Sequence, residues 1–106
     1  MNMQERYAVY HANDPHAMIA PQAEHWYNDR SRHYTHVADV VAPLGQVFAL
    51  TNHIDRPWTN NLDVVWHIAA PVRSTSVGDV ILSRETGQAW LVIPSDLREI
   101  TAPASL

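Results

Sequence analysis

Val80-Ile-Leu-Ser-Arg-Glu-Thr-Gly-Gln-Ala-Trp-Leu-Val-Ile93 predicts a β-hairpin near the C-terminal end of this chain. Two runs of aliphatic and β-branched residues, 80–83 and 89–93, flank a loop in which Gly87 supplies the positive φ angle that a short hairpin needs. Successive side chains of a strand alternate between the two faces of a sheet, and here both faces are apolar. Strands of this kind lie inside a sheet that is covered on both sides, so we expect the hairpin in the middle of the sheet.

Three more strands are predicted upstream of the hairpin. Residues 7 to 12 are aromatic and β-branched and stop at a turn that begins with Asn13. Residues 33 to 41 alternate in side-chain character, and residues 64 to 68 form a run that ends before Pro71. Two alternatives stay open for the segment after the hairpin, which suits either a last helical turn or a short edge strand over residues 97 to 100.

One helix is predicted, over residues 43 to 52. Apolar side chains recur there at helical spacing, at Leu44, Val47 and Phe48, and Pro43 suits a first helical turn. A helix this short is stabilised by packing on a sheet, with Phe48 expected as the anchor in the core. The expected fold class is therefore α+β, with a small, mainly antiparallel sheet of four to five strands and one principal helix on one face.

Composition indicates one globular domain over residues 1–106. The chain is 46% hydrophobic and 17% charged, and it is long enough to bury a core without disulfides. It contains no cysteine, which agrees with a reducing compartment. Neither a secretory signal pattern nor an apolar run long enough for a membrane span is visible, so we expect a cytoplasmic protein that does not bind membranes. The oligomeric state stays open.

The charge pattern argues against nucleic acid as a partner. The formal net charge is −4, and all seven basic residues are arginines scattered along the chain. Binding a phosphate backbone requires clustered positive charge. A nucleic-acid-binding protein, or an acidic mimic of DNA, is kept only as an alternative.

Residues for catalysis or metal binding do not form a recognised pattern. Seven histidines invite a metal hypothesis, but His33, His36 and Asp39 would converge only on a helix, whereas the sequence around them predicts a strand. The serines at 74 and 76 lack the Gly-x-Ser-x-Gly elbow of hydrolases, and three dispersed glycines form no phosphate loop. We therefore expect a non-enzyme without cofactor or metal, with a histidine-based metalloenzyme as an alternative.

The segment Arg73-Ser-Thr-Ser-Val-Gly-Asp79 leads into the hairpin and has its own turn chemistry. Ser74 and Ser76 can bond backbone amides, and Gly78 permits a tight bend before the strand begins. Arg73 is placed to donate two hydrogen bonds to a carboxylate such as Asp79, which would hold the turn. The functional alternative is that Arg73, Ser74 and Ser76 face outward as a polar edge that recognises a partner.

With this segment extended to Ile81, and with Phe48-Ala-Leu-Thr-Asn52 and Trp58 upstream, the chain resembles the YodL-like family. In that family a helix ends near an asparagine, a variable loop follows, and an Arg-Ser-x-Ser-Val-Gly-Asp segment opens a pair of strands. The resemblance covers residues 34 to 100. Members are small domains of phages, plasmids and conjugative elements, so the resemblance implies a mobile-element origin and no particular activity.

An aromatic pair, Trp26 and Tyr27, lies in the least regular part of the sequence. Tryptophan and tyrosine contribute large contact areas at small entropic cost, so the pair is a candidate hot spot within residues 22 to 34. The function predicted from the sequence is a non-enzymatic protein-interaction module of phage or mobile-element origin. Its expected partner is a host protein, as in host takeover or inhibition of a defence system.

Overall fold

The computed structural model describes residues 5–13, 34–52, 57–69, 72–94 and 96–100. Within these residues one sheet of six antiparallel strands carries one α-helix and one short 3-10 helix. Across the sheet the strand order is β3-β2-β1-β4-β5-β6. The elements are β1 (Arg6–Ala12), β2 (Tyr34–Val41), α1 (Leu44–Leu50), the 3-10 helix (Trp58–Asn60), β3 (Val64–His67), β4 (Val80–Ser83), β5 (Ala89–Ile93) and β6 (Asp96–Glu99). No helix in the described ranges is long and apolar enough to cross a membrane.

The predicted hairpin is confirmed, with strand bounds that match the sequence pattern. β4 lies between β1 and β5, inside the sheet, and Gly87 has a φ of 79° in the connecting loop. The expected number of strands was too low, because residues 96–99 form a sixth strand paired with β5. Leu97 lies opposite Val92 and packs on the same apolar cluster, which favours the strand over the alternative helical turn.

Apolar side chains pack on both faces of the sheet. One cluster lies under α1 and the 3-10 helix, and the second lies on the opposite face. The buried members of the first are Tyr7, Val9, Val37, Ala38, Val40, Ala42, Val47, Trp58, Val64, Ile81 and Val92, and those of the second are Ala12, Tyr34, Val80, Ala89, Leu91 and Ile100. The prediction of an interior hairpin with two apolar faces is therefore confirmed.

Helix α1 packs on the sheet as predicted, but its anchor is a different residue. The helix is seven residues long, and Val47 is fully buried whereas Phe48 is only partly buried. Adjacent residues on a helix point about 100° apart, so only one of them can face the sheet squarely. The expectation that Phe48 is the central core residue is wrong, and Phe48 instead lies at the rim of the core.

A β-bulge in β2 breaks the alternation expected for residues 33 to 41. Val9 pairs with Ala38 and Tyr10 pairs with His36, so Val37 is an extra residue on β2. The bulge brings His36 and Asp39 onto one face, where the imidazole Nε2 lies 2.7 Å from the carboxylate Oδ1. The expectation that a strand would keep these two side chains apart is wrong for this reason.

Candidate functional site

The carboxylate of Asp79 is the best-connected polar group of the predicted turn. The residue is fully buried, and each of its two carboxylate oxygens accepts two hydrogen bonds. Arg73 donates from Nη1 to Oδ2 over 2.7 Å and from Nη2 to Oδ1 over 2.8 Å. The backbone amides of Ala12 and Ser76 donate to the same two oxygens, each over 2.8 Å. The predicted bidentate pair is confirmed, and its burial is offset by four donors.

The Arg73 guanidinium also bonds to the chain around it. Nη2 donates to the carbonyl of Ala12 over 3.0 Å, and Nη1 donates to the Ser74 carbonyl and to the Ser76 hydroxyl over 3.1 and 3.2 Å. Arg73, Ser74 and Ser76 therefore lie together, and the guanidinium ties β1 to the turn. The structural role of Arg73 is confirmed by these contacts. Partner recognition by these three residues stays a prediction.

Residues 76 to 79 form a tight turn that displays Val77. The Asp79 amide donates to the Ser76 carbonyl over 3.0 Å, and Gly78 has a φ of 98°, the positive value that the third position of a type II turn requires. The Gly78 amide donates to the Val92 carbonyl over 2.9 Å, which fixes the turn against β5. Val77 is 52% exposed at its tip.

His11 lies behind the turn and is almost completely buried. Its Nε2 is 2.9 Å from the Thr75 hydroxyl and 3.7 Å from Oδ2 of Asp79. Burial lowers the pKa of His11 to about 4. The positive charge of Arg73 lowers the pKa further, whereas the negative charge of Asp79 raises it but does not outweigh burial. One ring nitrogen contacts both neighbours, and Thr75 is fully buried, so the three residues do not form a nucleophile, base and orienting acid.

An apolar groove with a volume of about 430 Å³ runs beside Val77. Helix α1, the 76–79 turn and the paired strands β5 and β6 form its walls. Its lining consists of Gly45, Phe48, Val77, Val92, Ile93, Leu97 and one charged residue, Asp96. We call the bidentate Arg73–Asp79 pair the clamp. The turn that it holds supplies one wall of a concave apolar surface, which is the usual form of a binding site.

A second polar cluster surrounds Asp39 on the opposite face of the sheet. Asp39 is 4% exposed and accepts hydrogen bonds from Arg6, Arg84 and His36. Burial raises its pKa, but the bonds from His36, Arg6 and Arg84 outweigh burial and leave the pKa below its usual value. Trp66 pairs with Asp39 across β2 and β3 and stacks on His36 with ring centres 4.7 Å apart.

The chain matches no protein-family model, no curated protein and no solved structure in the three comparisons made.

The sequence located the clamp but not the groove. The spacing of Arg73 and Asp79 was enough to predict their pairing, whereas the groove is assembled from three segments that no motif connects. Trp26, Tyr27 and His33 lie outside the described residues. Within the described ranges, no group of three or more histidine or acidic side chains is placed to hold a metal ion.

Proposed function

We propose that this chain is a non-enzymatic protein-interaction module whose apolar groove receives a segment of a partner protein. The observation that carries the proposal is the groove of about 430 Å³ with Val77 held at its rim by the Arg73–Asp79 clamp. The proposed partner is a host protein, and the proposed origin is a phage or other mobile element. The resemblance of residues 73–81 to the YodL-like family supports that origin.

The chemistry of the groove favours a peptide segment that is apolar with a basic neighbour. Six of the seven lining residues are apolar or glycine, and the seventh is the exposed carboxylate of Asp96. An apolar side chain from the partner would remove both surfaces from water, at about 25 cal/mol per Å² buried. A lysine or arginine beside it would lie near Asp96 and would set the orientation of the segment.

The clamp makes this surface ready for binding. Asp79 holds Arg73 and the Ser76 amide, and the Gly78 amide bonds to Val92, so the 76–79 turn is fixed from both sides. A fixed turn loses little conformational entropy when a partner binds. The motif therefore supports binding through the position of Val77.

Nucleic acid is less favoured because three of the four arginines in the described ranges are paired with buried carboxylates. The described ranges contain four arginines, Arg6, Arg73, Arg84 and Arg98. Arg6 and Arg84 bond to Asp39, and Arg73 bonds to Asp79. Guanidinium groups already paired with buried carboxylates are poorly available for phosphate contacts.

The test is affinity capture from host lysate with matched variants, followed by a binding titration with the captured protein. Val77→Lys places a charge at the rim, and Gly45→Trp places a large side chain where a Cβ meets nothing within 4 Å. Each should weaken binding by about 2 kcal/mol, roughly 30-fold, if the groove contains the hot spot. Gly45→Ala and Val65→Lys are the controls, since the first adds only a methyl group and the second lies on β3.

Equal binding by all four variants would contradict the groove as the interface. The double variant Trp26→Ala/Tyr27→Ala then decides the hypothesis for residues 22 to 34. Loss of the captured protein in that variant, with an unchanged circular dichroism spectrum, would place the interface there.

A further inference from the structure

The connection between β5 and β6 contains only two residues, and the first of them is a proline. Ile93 pairs with Asp96, so Pro94 and Ser95 alone join the two strands. Two-residue hairpin loops favour turns of types I′ and II′, because the twist of these turns matches the twist of the strands. Both types require a positive φ at the first loop residue, whereas the proline ring fixes φ at about −65°. Pro94 therefore excludes the two turns that suit such a hairpin best.

β6 is attached to the rest of the sheet on one side only. In the described part of the chain it pairs with β5 and with no other strand. Its sequence Asp96-Leu-Arg-Glu99 contains one apolar side chain, Leu97, which packs on the cluster under α1. The same strand of another copy could take this place and make the same contacts.

We infer that two copies of this chain exchange β6, so that each copy places this strand against β5 of the other. In the exchanged form residues 89–99 run as one extended strand, and the chain needs no turn at Pro94. The φ of a proline lies within the extended region, so Pro94 fits this straight connection. Both forms make the same contacts between β5 and β6, so the connection decides the balance between them, and a short connection under strain favours exchange.

The register of β5 and β6 allows the two long strands to pair through the connection as well. The four pairs between these strands follow one regular register, which ends at Ile93 and Asp96. When this register is continued by one position, Pro94 of each copy lies opposite Ser95 of the other. The two-fold axis passes between these two pairs, so the interface is isologous and the assembly closes at a dimer.

A proline at this position costs the joined strands no hydrogen bond. The Val92 amide donates to the Asp79 carbonyl over 2.8 Å, and the Val92 carbonyl accepts from the Gly78 amide over 2.9 Å, so both groups point towards β4. Backbone groups alternate along a strand, and position 94 therefore points the same way as position 92. The N–H that Pro94 lacks would have pointed away from the second copy, which is the orientation in which strands tolerate proline.

Exchange also makes the apolar groove a site that two copies share. Its charged residue, Asp96, and its outer apolar residue, Leu97, belong to β6 and would come from the second copy. The other lining residues come from the first copy: Gly45, Phe48, Val77, Val92 and Ile93. Each groove is then incomplete without the second copy. This inference holds whatever fills the groove, so it stands apart from the proposed partner.

Association is measured by sedimentation equilibrium on the natural chain and two loop variants. The natural chain should shift with concentration from 12.0 kDa towards twice that mass. Pro94→Asn/Ser95→Gly creates the Asn-Gly loop that favours a type I′ turn, so this variant should stay at 12.0 kDa. Ser95→Ala is the control, because it keeps the proline and should dimerise like the natural chain. A natural chain that stays at 12.0 kDa up to its solubility limit, or an Asn-Gly variant that dimerises equally, would overturn the inference.

A pair of cysteines distinguishes exchange of β6 from association through another surface, because the natural chain contains no cysteine. Ile93 and Asp96 are directly paired, and the Cα atoms of such pairs are about 4.5–5.5 Å apart, which permits a disulfide. When the dimer fraction of Ile93→Cys/Asp96→Cys is oxidised, the disulfide should join two chains and double the mass on a denaturing, non-reducing gel. With the Asn-Gly loop added, the disulfide should stay within one chain. Disulfides within single chains in the dimer fraction would overturn the exchange.

Discussion

The Asp79 carboxylate and the backbone amide of Ala12 are 2.8 Å apart, although 67 positions separate them in the sequence. Arg73 donates to both oxygens of the same carboxylate and to the Ala12 carbonyl, so one buried acid fixes the end of β1 against the segment that leads into β4. The last residues of a central strand and the turn beside the groove therefore share one set of hydrogen bonds.

Asp79→Asn should destabilise the fold strongly. The substitution keeps the shape of the side chain but removes the charge that Arg73 faces, and breaking a buried pair from one side costs about 3–5 kcal/mol. We expect a loss at the lower end of this range, because the Arg73 side chain is 38% exposed and water can solvate its charge. Denaturant unfolding measures the loss, with the exposed Asp96→Asn as the control. Equal midpoints for the two variants would show that the clamp contributes little.

Stability should fall as the pH is lowered from about 6.5 towards about 4, because burial lowers the pKa of His11 to about 4. Within this window the unfolded chain binds a proton at position 11 and the folded chain does not, so protonation favours unfolding. Above the window both forms are neutral and the effect vanishes. The full loss is about 3 kcal/mol for a shift of this size.

Denaturant unfolding at several pH values tests this prediction, by comparing the free energy of unfolding of His11→Gln with that of the natural chain. In the variant, the free energy of unfolding should depend much less on pH between pH 4 and 6.5. These limits are the pKa of His11 in the folded chain and the usual pKa of histidine. His67→Gln, at an exposed position, should keep it. The Asp39 pKa is lowered by its hydrogen bonds and adds a loss only at more acidic pH, below its usual value. Parallel slopes for His11→Gln and the natural chain would contradict the assignment.

Gly78→Val and Gly45→Ala should have opposite effects. Gly78 has a φ of 98°, where a β-branched side chain is strained by about 1–3 kcal/mol, so its replacement should lower the melting temperature. Gly45 lies in α1, and a methyl group there would have nothing within 4 Å, so alanine should stabilise by about 0.5–1 kcal/mol. A Gly78→Val variant that melts like the natural chain would mean that the turn can adopt another conformation.

Two tryptophans should respond very differently to truncation. Trp58 is 1% exposed and its Nε1 donates to the Arg73 carbonyl over 2.9 Å, so Trp58→Ala should cost about 3–5 kcal/mol. Trp66 is 42% exposed, and Trp66→Ala should cost less than about 1 kcal/mol. Chemical denaturation at low protein concentration compares them. A larger loss for Trp66→Ala than for Trp58→Ala would reverse the roles given to these residues.

Features encoded by neighbouring residues were predictable from the sequence. The hairpin bounds, the positive φ of Gly87 and the Arg73–Asp79 pair all depend on contacts within a few positions, and all three agree with the structure. Features that depend on distant segments were not. The groove combines α1, the 76–79 turn and β6, and the Asp39 cluster combines three strands with the loop after β4.

Two sequence-based expectations were wrong for reasons that lie in tertiary packing. The bulge at Val37 is set by how β2 registers with β1, and a period-two pattern carries no signal for it. The burial of Val47 in place of Phe48 depends on the rotation of a seven-residue helix, since either side chain fits an apolar stripe. Neither the bulge nor the rotation of the helix can be predicted without knowing the contacts that β2 and α1 make in the sheet.

The central position of β1 has a consequence for the order in which the chain can fold. A ribosome releases β1 before the other five strands of the sheet, yet its partner β4 lies more than 70 residues later, since Tyr7 pairs with Ser83. During synthesis the strand that will lie in the interior therefore waits with an open edge, and the local hairpin must dock on it before the sheet is continuous. Such long-range pairing makes folding slow, on the order of milliseconds to seconds, and makes the nascent chain the form most exposed to aggregation.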